Sequence, residues 1–110
     1  MQVVTSEERD RTVVAVVGEL DVLSVPDLRL ELYAAIDRAA DRLVVIDLAG
    51  LQFLDATGLG VLVGAHRRAA RAGGHVVLRN PPERVRRLLF VTRLDRVLPL
   101  ENRTTLQTVA

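Results

Sequence analysis

Short, β-branched apolar runs alternate along this chain with longer stretches in which apolar residues recur every three or four positions. Residues 13–17 and the run "LVVIDL" at 43–48 are nearly continuous in Val, Ile and Leu, a pattern that predicts central strands covered on both faces, as in sheets with parallel neighbours. "HVVL" at 75–78 predicts a third strand, while "VV" at 3–4 and "RVLPL" at 96–100 predict shorter edge strands. Between these runs the period changes. From Ser24, a candidate N-cap with Pro26 in the first turn, the residues Leu28, Leu32, Ala35, Ile36 and Ala39 fall on one helical stripe. Leu59, Leu62, Val63, His66 and Ala70 form a second stripe, stopped by Gly73 and Gly74. "NPPE" at 80–83 opens a third helix, with Val85, Leu88, Leu89 and Thr92 on one side. The expected order is ββαβαβαβ: an α/β domain over residues 1–100, with a sheet of four to five strands backed by helices. Residues 101–110, "ENRTTLQTVA", are polar and aperiodic and predict a frayed or loosely docked tail.

Composition narrows this picture. Of the 110 residues, 49% are hydrophobic but only 3% aromatic, so the core of this single domain must be aliphatic. Without cysteine there is neither a disulfide framework nor thiolate chemistry. No apolar run approaches the ~20 residues of a membrane span, and "MQVVTSEERDR" is acidic and polar where a signal peptide would be basic and then apolar. A soluble, cytoplasmic protein is expected. The net charge of +1 hides an asymmetry: residues 1–55 carry five Arg against eleven Asp and Glu (−6), and residues 56–96 carry nine Arg against Glu83 and Asp95 (+7). Such a basic half could face nucleic acid or an acidic protein. No aromatics interleave for base stacking, so a solvated helix surface is the plainer reading and no nucleic-acid partner is expected.

In open α/β sheets ligands gather beyond the C-terminal ends of the parallel strands. Three loops should meet there, at 18–24, 50–58 and 79–83, bringing Asp21, Ser24, Asp55, Thr57 and Asn80 into one neighbourhood. The stretch "FLDATGLG" at 53–60 carries most of the chemistry. Asp55 suits an N-cap, accepting N–H bonds from residue 57 or 58, and Gly58 and Gly60 would permit close approach or a turn. A phosphate-binding loop fits poorly, because the chain has no lysine and Gly58, Gly60 and Gly64 are spaced one residue too widely for a dinucleotide fingerprint. Catalysis and metal binding fit no better. His66 and His75 lie nine residues apart on different elements, and neither Ser24 nor Thr57 has a nearby histidine base. Thr57 remains as an acceptor: a hydroxyl in the first turn of a helix, where the free N–H groups would tolerate an added phosphate but a docked partner would not.

The stretch from "VVIDLAGLQFLDATGLG" through "RVLPL", preceded by "GELDVLSVPDL", resembles the STAS domain of bacterial anti-sigma factor antagonists over roughly residues 3–100. The resemblance implies a small mixed sheet backed by helices and a protein that is not an enzyme and needs no cofactor or metal. It also implies partner switching. The unphosphorylated antagonist binds an anti-sigma factor that is itself an ATP-dependent serine/threonine kinase. That kinase phosphorylates the antagonist, and a serine/threonine phosphatase reverses the step. On this chain the acceptor position is Thr57, Asp55 is the leading acid of the motif, Gly58 and Gly60 continue it, and Asp21, Ser24 and Asn80 lie where the family's loops add to the docking face. Ala56 departs from the family, which commonly has serine there, so only one hydroxyl remains. The β-branched acceptor implies slower transfer or a different kinase. Some STAS domains are not phosphorylation switches, so a scaffold or small-ligand module stays open as the alternative.

Overall fold

The edge strand and the first apolar run fold into a hairpin, β1 (Gln2–Glu8) against β2 (Arg11–Leu20), antiparallel from Gln2 opposite Val17 to Glu8 opposite Arg11. The computed structural model describes residues 1–101; of the stretch read as a tail, residues 102–110 lie outside the described residues. After β2 come α1 (Val25–Ala39), β3 (Leu43–Asp47), β4 (Leu51–Leu54), α2 (Ala56–Arg71), β5 (His75–Arg79), α3 (Glu83–Val91) and a single 3₁₀ turn at Leu94–Arg96. The sheet runs β1-β2-β3-β5, with β4 paired to β2; only the β1–β2 pair is antiparallel, so the sheet is mixed. The expected fold class therefore holds.

Two elements differ from the expected order. Residues 51–54 were expected within a loop but form β4. Its four residues show no polar alternation, since Leu51 is buried, Gln52 and Phe53 are exposed and Leu54 is half-buried. The edge strand expected at 96–100 shrinks to a bridge between Leu78 and Leu100, because Pro99 can accept from Leu78 N–H but has no N–H of its own to extend a ladder.

β2 is the long member. Its first half pairs with β3, Arg11 opposite Leu43 to Ala15 opposite Asp47, and its second half pairs with β4, Gly18 opposite Leu51 to Leu20 opposite Leu54. At the change-over Gly18 has φ 106°, a backbone state that side chains disfavour, and the register shifts between Gly18 and Glu19. The core is aliphatic, as composition required: Val14, Val16, Ile46 and Leu78 from the sheet meet Leu28, Leu32 and Ile36 of α1 and Leu62 of α2. The α1 stripe is buried as expected. On α2 the buried set is Leu59, Val61, Leu62, Ala65 and Ala69, rotated from the expected stripe because this helix packs on α1 as well as on the sheet. His66 is only half-buried and Ala70 is exposed. Thr92, expected on the apolar side of α3, is exposed and returns its hydroxyl to the Leu88 carbonyl at 2.8 Å. The α1–α2 seam is tight: a Cβ on Gly64 would overlap the Tyr33 hydroxyl, and Arg68 lies 5.1 Å over the Tyr33 ring while binding Asp37 through two 2.8 Å bonds.

Val13 and Val45 point away from that core by strand alternation, yet both are buried. Arg11 and Arg79 share their face by the same alternation. Arg79 donates two 2.8 Å bonds to the Glu101 carboxylate and two more to Glu8, while Arg11 reaches Glu101 at 3.4 Å. Arg79 and Glu101 are only 13% and 9% exposed, and these bonds raise the Arg79 pKa while lowering that of Glu8. Among the described residues no helix is long and apolar enough to cross a membrane.

Removing Arg79 takes away the two shortest bonds to the nearly buried Glu101 and leaves its charge less well compensated, with Arg11 still at 3.4 Å. Arg79→Met should therefore cost about 2–4 kcal/mol in urea unfolding, and Arg79→Met with Glu101→Met should recover a large part of that loss.

Candidate functional site

β2 and β4 end side by side, so the loops that follow them start from one place; the Asp55 N–H donates to the Leu20 carbonyl at 3.3 Å and ties the two together. In the first loop Asp21 is an internal brace. Its carboxylate accepts the N–H of Leu23 at 3.0 Å and of Ser24 at 3.2 Å, while the Asp21 N–H donates to the Ser24 hydroxyl oxygen at 3.0 Å. The Ser24 hydroxyl in turn donates to the Glu19 carbonyl at 3.0 Å. Ser24 precedes α1, but its side chain caps nothing and its backbone is already helical (φ −92°, ψ −15°); the capping role expected of it has moved to Asp21. With both polar side chains turned inward, the loop presents Val22 and Leu23, 64% and 85% exposed.

The second loop starts α2. Asp55 is extended (φ −106°, ψ −175°), and its carboxylate accepts the Gly58 N–H at 3.0 Å, as expected of an N-cap. The same oxygen accepts the Thr57 hydroxyl at 2.5 Å. The Thr57 hydroxyl first, and the Gly58 N–H second, hold the Asp55 carboxyl below its ordinary value. Thr57 is exposed, with its rotamer fixed by this bond. The two glycines differ sharply. A Cβ on Gly58 would lie 2.6 Å from Leu54 Cδ1 and 2.7 Å from Leu20 Cγ, so the helix start sits directly on the ends of β2 and β4. A Cβ on Gly60 would meet nothing within 4 Å. Gly60 is bare helix surface one turn beyond Thr57, and the fold gives no reason for it.

Asp21, Ser24, Asp55, Thr57 and Gly58 are thus brought together, while Asn80 sits apart. β5 pairs with β3 only as far as Arg79 opposite Asp47, itself opposite Ala15, so by register Asn80 is level with Val16. That is five positions short of Asp21, or about 16 Å at ~3.3 Å per residue. Sequence reasoning missed Val22, Leu23 and the 43%-exposed Phe53. The available signal was a pair of apolar residues between two turn-forming polar ones, outside any stripe.

The STAS domain family profile matches residues 2–108. The chain belongs to this family. The STAS protein is 37% identical over 87 residues to the anti-sigma-B factor antagonist of Bacillus subtilis (strain 168), covering 79% of this chain and 78% of that one. It matches the crystal structure of an anti-sigma factor antagonist from Mycobacterium paratuberculosis at 29% identity and TM-score 0.77, over 92% of this chain and 85% of that one. It also shares the fold of the phosphorylated form of the Bacillus cell fate determinant SpoIIAA, with TM-score 0.70 at 22% identity, over 99% of this chain and 100% of that one.

Two outcomes follow for this STAS domain. The folded Asp55 carboxyl lies below its ordinary 3.8, so what it gains from its partners is present above that pH and lost as pH falls through the lowered folded value. Thr57→Val removes the first partner and should move the Asp55 pKa, followed by carboxyl NMR, up toward 3.8 without reaching it, since the Gly58 N–H remains. Gly58→Ala should destabilise the fold by about 1–3 kcal/mol through overpacking, whereas Gly60→Ala should stabilise it by about 0.5–1 kcal/mol. Urea midpoints moving the same way for both would contradict the seating of α2 described above.

Proposed function

We propose that this STAS protein is an anti-sigma factor antagonist of the cytoplasm, a binding protein switched by phosphorylation of Thr57. The observation that carries the reading is the placement of Thr57. Its hydroxyl is exposed in the first turn of α2, oriented by Asp55, beside the loop that presents Val22 and Leu23. In the unmodified state these side chains and the bare backbone at Gly60 form the docking face for an anti-sigma factor with serine/threonine kinase activity. Asp21 and Ser24 act by holding the Val22–Leu23 tip, and Gly58 by seating the helix. Asn80 would belong to this face only where a partner reaches beyond the groove beside β4.

The kinase supplies ATP. A bond forms between Thr57 Oγ1 and the γ-phosphorus as the bond to ADP breaks, and the hydroxyl proton leaves to a base on the kinase. The phosphorylated side chain can no longer donate to Asp55, and it places about −1.5 to −2 charges beside an ionised carboxylate. The helix N-terminus offsets part of that repulsion within the fold. A partner packed on Val22 and Leu23 meets new bulk and charge and is released, and a serine/threonine phosphatase restores the hydroxyl by hydrolysis. SpoIIAA, whose fold this chain shares, is a protein solved in a phosphorylated form, which supports a phosphoryl group being compatible with the architecture. Because residue 56 is Ala, one hydroxyl alone at this junction can accept.

The test uses the kinase-type anti-sigma factor of the same organism with ATP, mapping the modified residue by mass spectrometry. Thr57→Ala should abolish uptake yet keep binding, and Thr57→Glu should weaken binding by about tenfold or more. Label found only on Ser24 or Thr92 would sink the acceptor assignment. Equal affinity of the phosphorylated and unmodified forms would sink the switch and favour a scaffold that is not phosphorylated.

A further inference from the structure

We propose that the groove between β4 and α3 is a strand-accepting site that takes an extended acidic segment of a protein partner, adding it to the free edge of β4. The sheet leaves this slot open. Among the described residues β4 pairs with β2 alone, and the strand that could have flanked it on the other side, β5, stops pairing at Arg79. Asn80 then takes a left-handed turn (φ 52°), and Pro81 and Pro82, which have no N–H to offer a ladder, lead the chain away into α3. What remains is a groove of about 790 Å³ with a strand for one wall and a helix for the other. Leu51, Phe53 and Leu54 line it from β4, and Val85, Leu88 and Val91 from α3.

Two further observations identify the occupant. The groove carries exposed apolar side chains on both walls: Phe53, 43% exposed, on β4 and Val91, 70% exposed, on α3. In a protein whose fully buried residues are aliphatic, large apolar side chains facing one groove mark a contact face. The polar lining of the groove is Gln52, Glu83, Arg84 and Arg87, two guanidinium groups against one carboxylate. Arg84 makes no ion pair among the described residues, and Arg87 reaches only Glu83, at 3.9 Å and with both side chains largely exposed. An extended chain alternating apolar and acidic residues satisfies all three features. Its backbone pairs with the β4 edge, its apolar side chains enter between Phe53 and Val91, and its carboxylates meet Arg84 and Arg87. β4 spans only four residues, about 13 Å, so the segment it accepts is short. The chain's own residues 102–110 have the wrong charge for this role, carrying Arg103 and no acid. The site also gives part of the excess positive charge of residues 56–96 a purpose separate from the Thr57 switch.

The probe is a fluorescein-labelled heptapeptide of alternating glutamate and valine, titrated by anisotropy against the full chain. Saturable binding is expected, weakened about tenfold or more by Arg84→Glu with Arg87→Glu, by Phe53→Ser, and by N-methylation of the central peptide amide, which removes a ladder bond. These substitutions are at surface positions, and circular dichroism checks that the fold is kept. Amide exchange by NMR should slow in β4 on binding. The proposal is overturned if the peptide does not bind, if a lysine–valine peptide binds equally well, if N-methylation changes nothing, or if the protected amides lie outside β4. A short oligothymidylate that binds more tightly than the peptide and is lost with the same arginines would assign the surface to nucleic acid instead, and would equally overturn it.

Discussion

β2 takes two successive parallel partners, β3 over its first half and β4 over its second, and the rest of the architecture follows from that division. A single strand of ten residues thereby becomes the ruler on which both halves of the working end are measured. Gly18 makes the hand-over possible: its positive φ absorbs the register shift, and its N–H bonds the Gly50 carbonyl at 2.9 Å so that the ladder continues between the two partners. Because Leu20 and Leu54 finish opposite one another, the Val22–Leu23 tip and the Thr57 turn leave the sheet at the same level. Gly58 lets α2 press onto those strand ends, so the helix start inherits the rigidity of the sheet.

The chemistry at that end is organised by one carboxylate. Asp55 satisfies the helix N-terminus through Gly58 and orients the Thr57 hydroxyl through the same oxygen. An N-cap that also holds a neighbouring hydroxyl ties the rotamer of that side chain to local helix stability. On the other face of the sheet, Arg79, Glu101, Glu8 and Arg11 do the covering that helices do on the core side, and Arg79 ties Glu101 to β5. The two polar centres differ in origin: the Asp55 centre is built from a loop and a helix start, the arginine–glutamate cluster mainly from strand residues.

Sequence periodicity captured what periodicity can encode. The α1 stripe was legible because its buried residues repeat at helical spacing and face only one environment. On α2 the same reasoning misplaced the stripe, since small residues such as Ala65 and Ala69 are buried and carry little hydrophobic signal. β4 left no pattern at all: four residues paired on one side impose no alternation. At the site, Asp55, Thr57 and Gly58 were readable as a helix start because capping is local chemistry. Ser24 holds the N-cap position read for it, but its hydroxyl is drawn back to Glu19 and Asp21 by a turn that only the folded chain closes, so it makes no cap bond to the helix. Nothing in one dimension distinguished Gly58, forced by Leu20 and Leu54, from Gly60, forced by nothing within the fold. The placement of Asn80 was a matter of where β5 stops, which strand composition does not fix.

The seam between α1 and α2 carries a spectroscopic consequence. The chain has no tryptophan and a single tyrosine, and that ring is wedged against Gly64 beneath the Arg68 guanidinium, two helical turns along α2 from the Thr57 junction. Tyrosine fluorescence from this protein, excited beyond the phenylalanine absorption band, is therefore the signal of one site. Any rearrangement that shifts α2 against α1 must alter the ring's contact with its cation and with the glycine backbone, so the native chain carries a built-in optical gauge of the helix that begins beside Thr57.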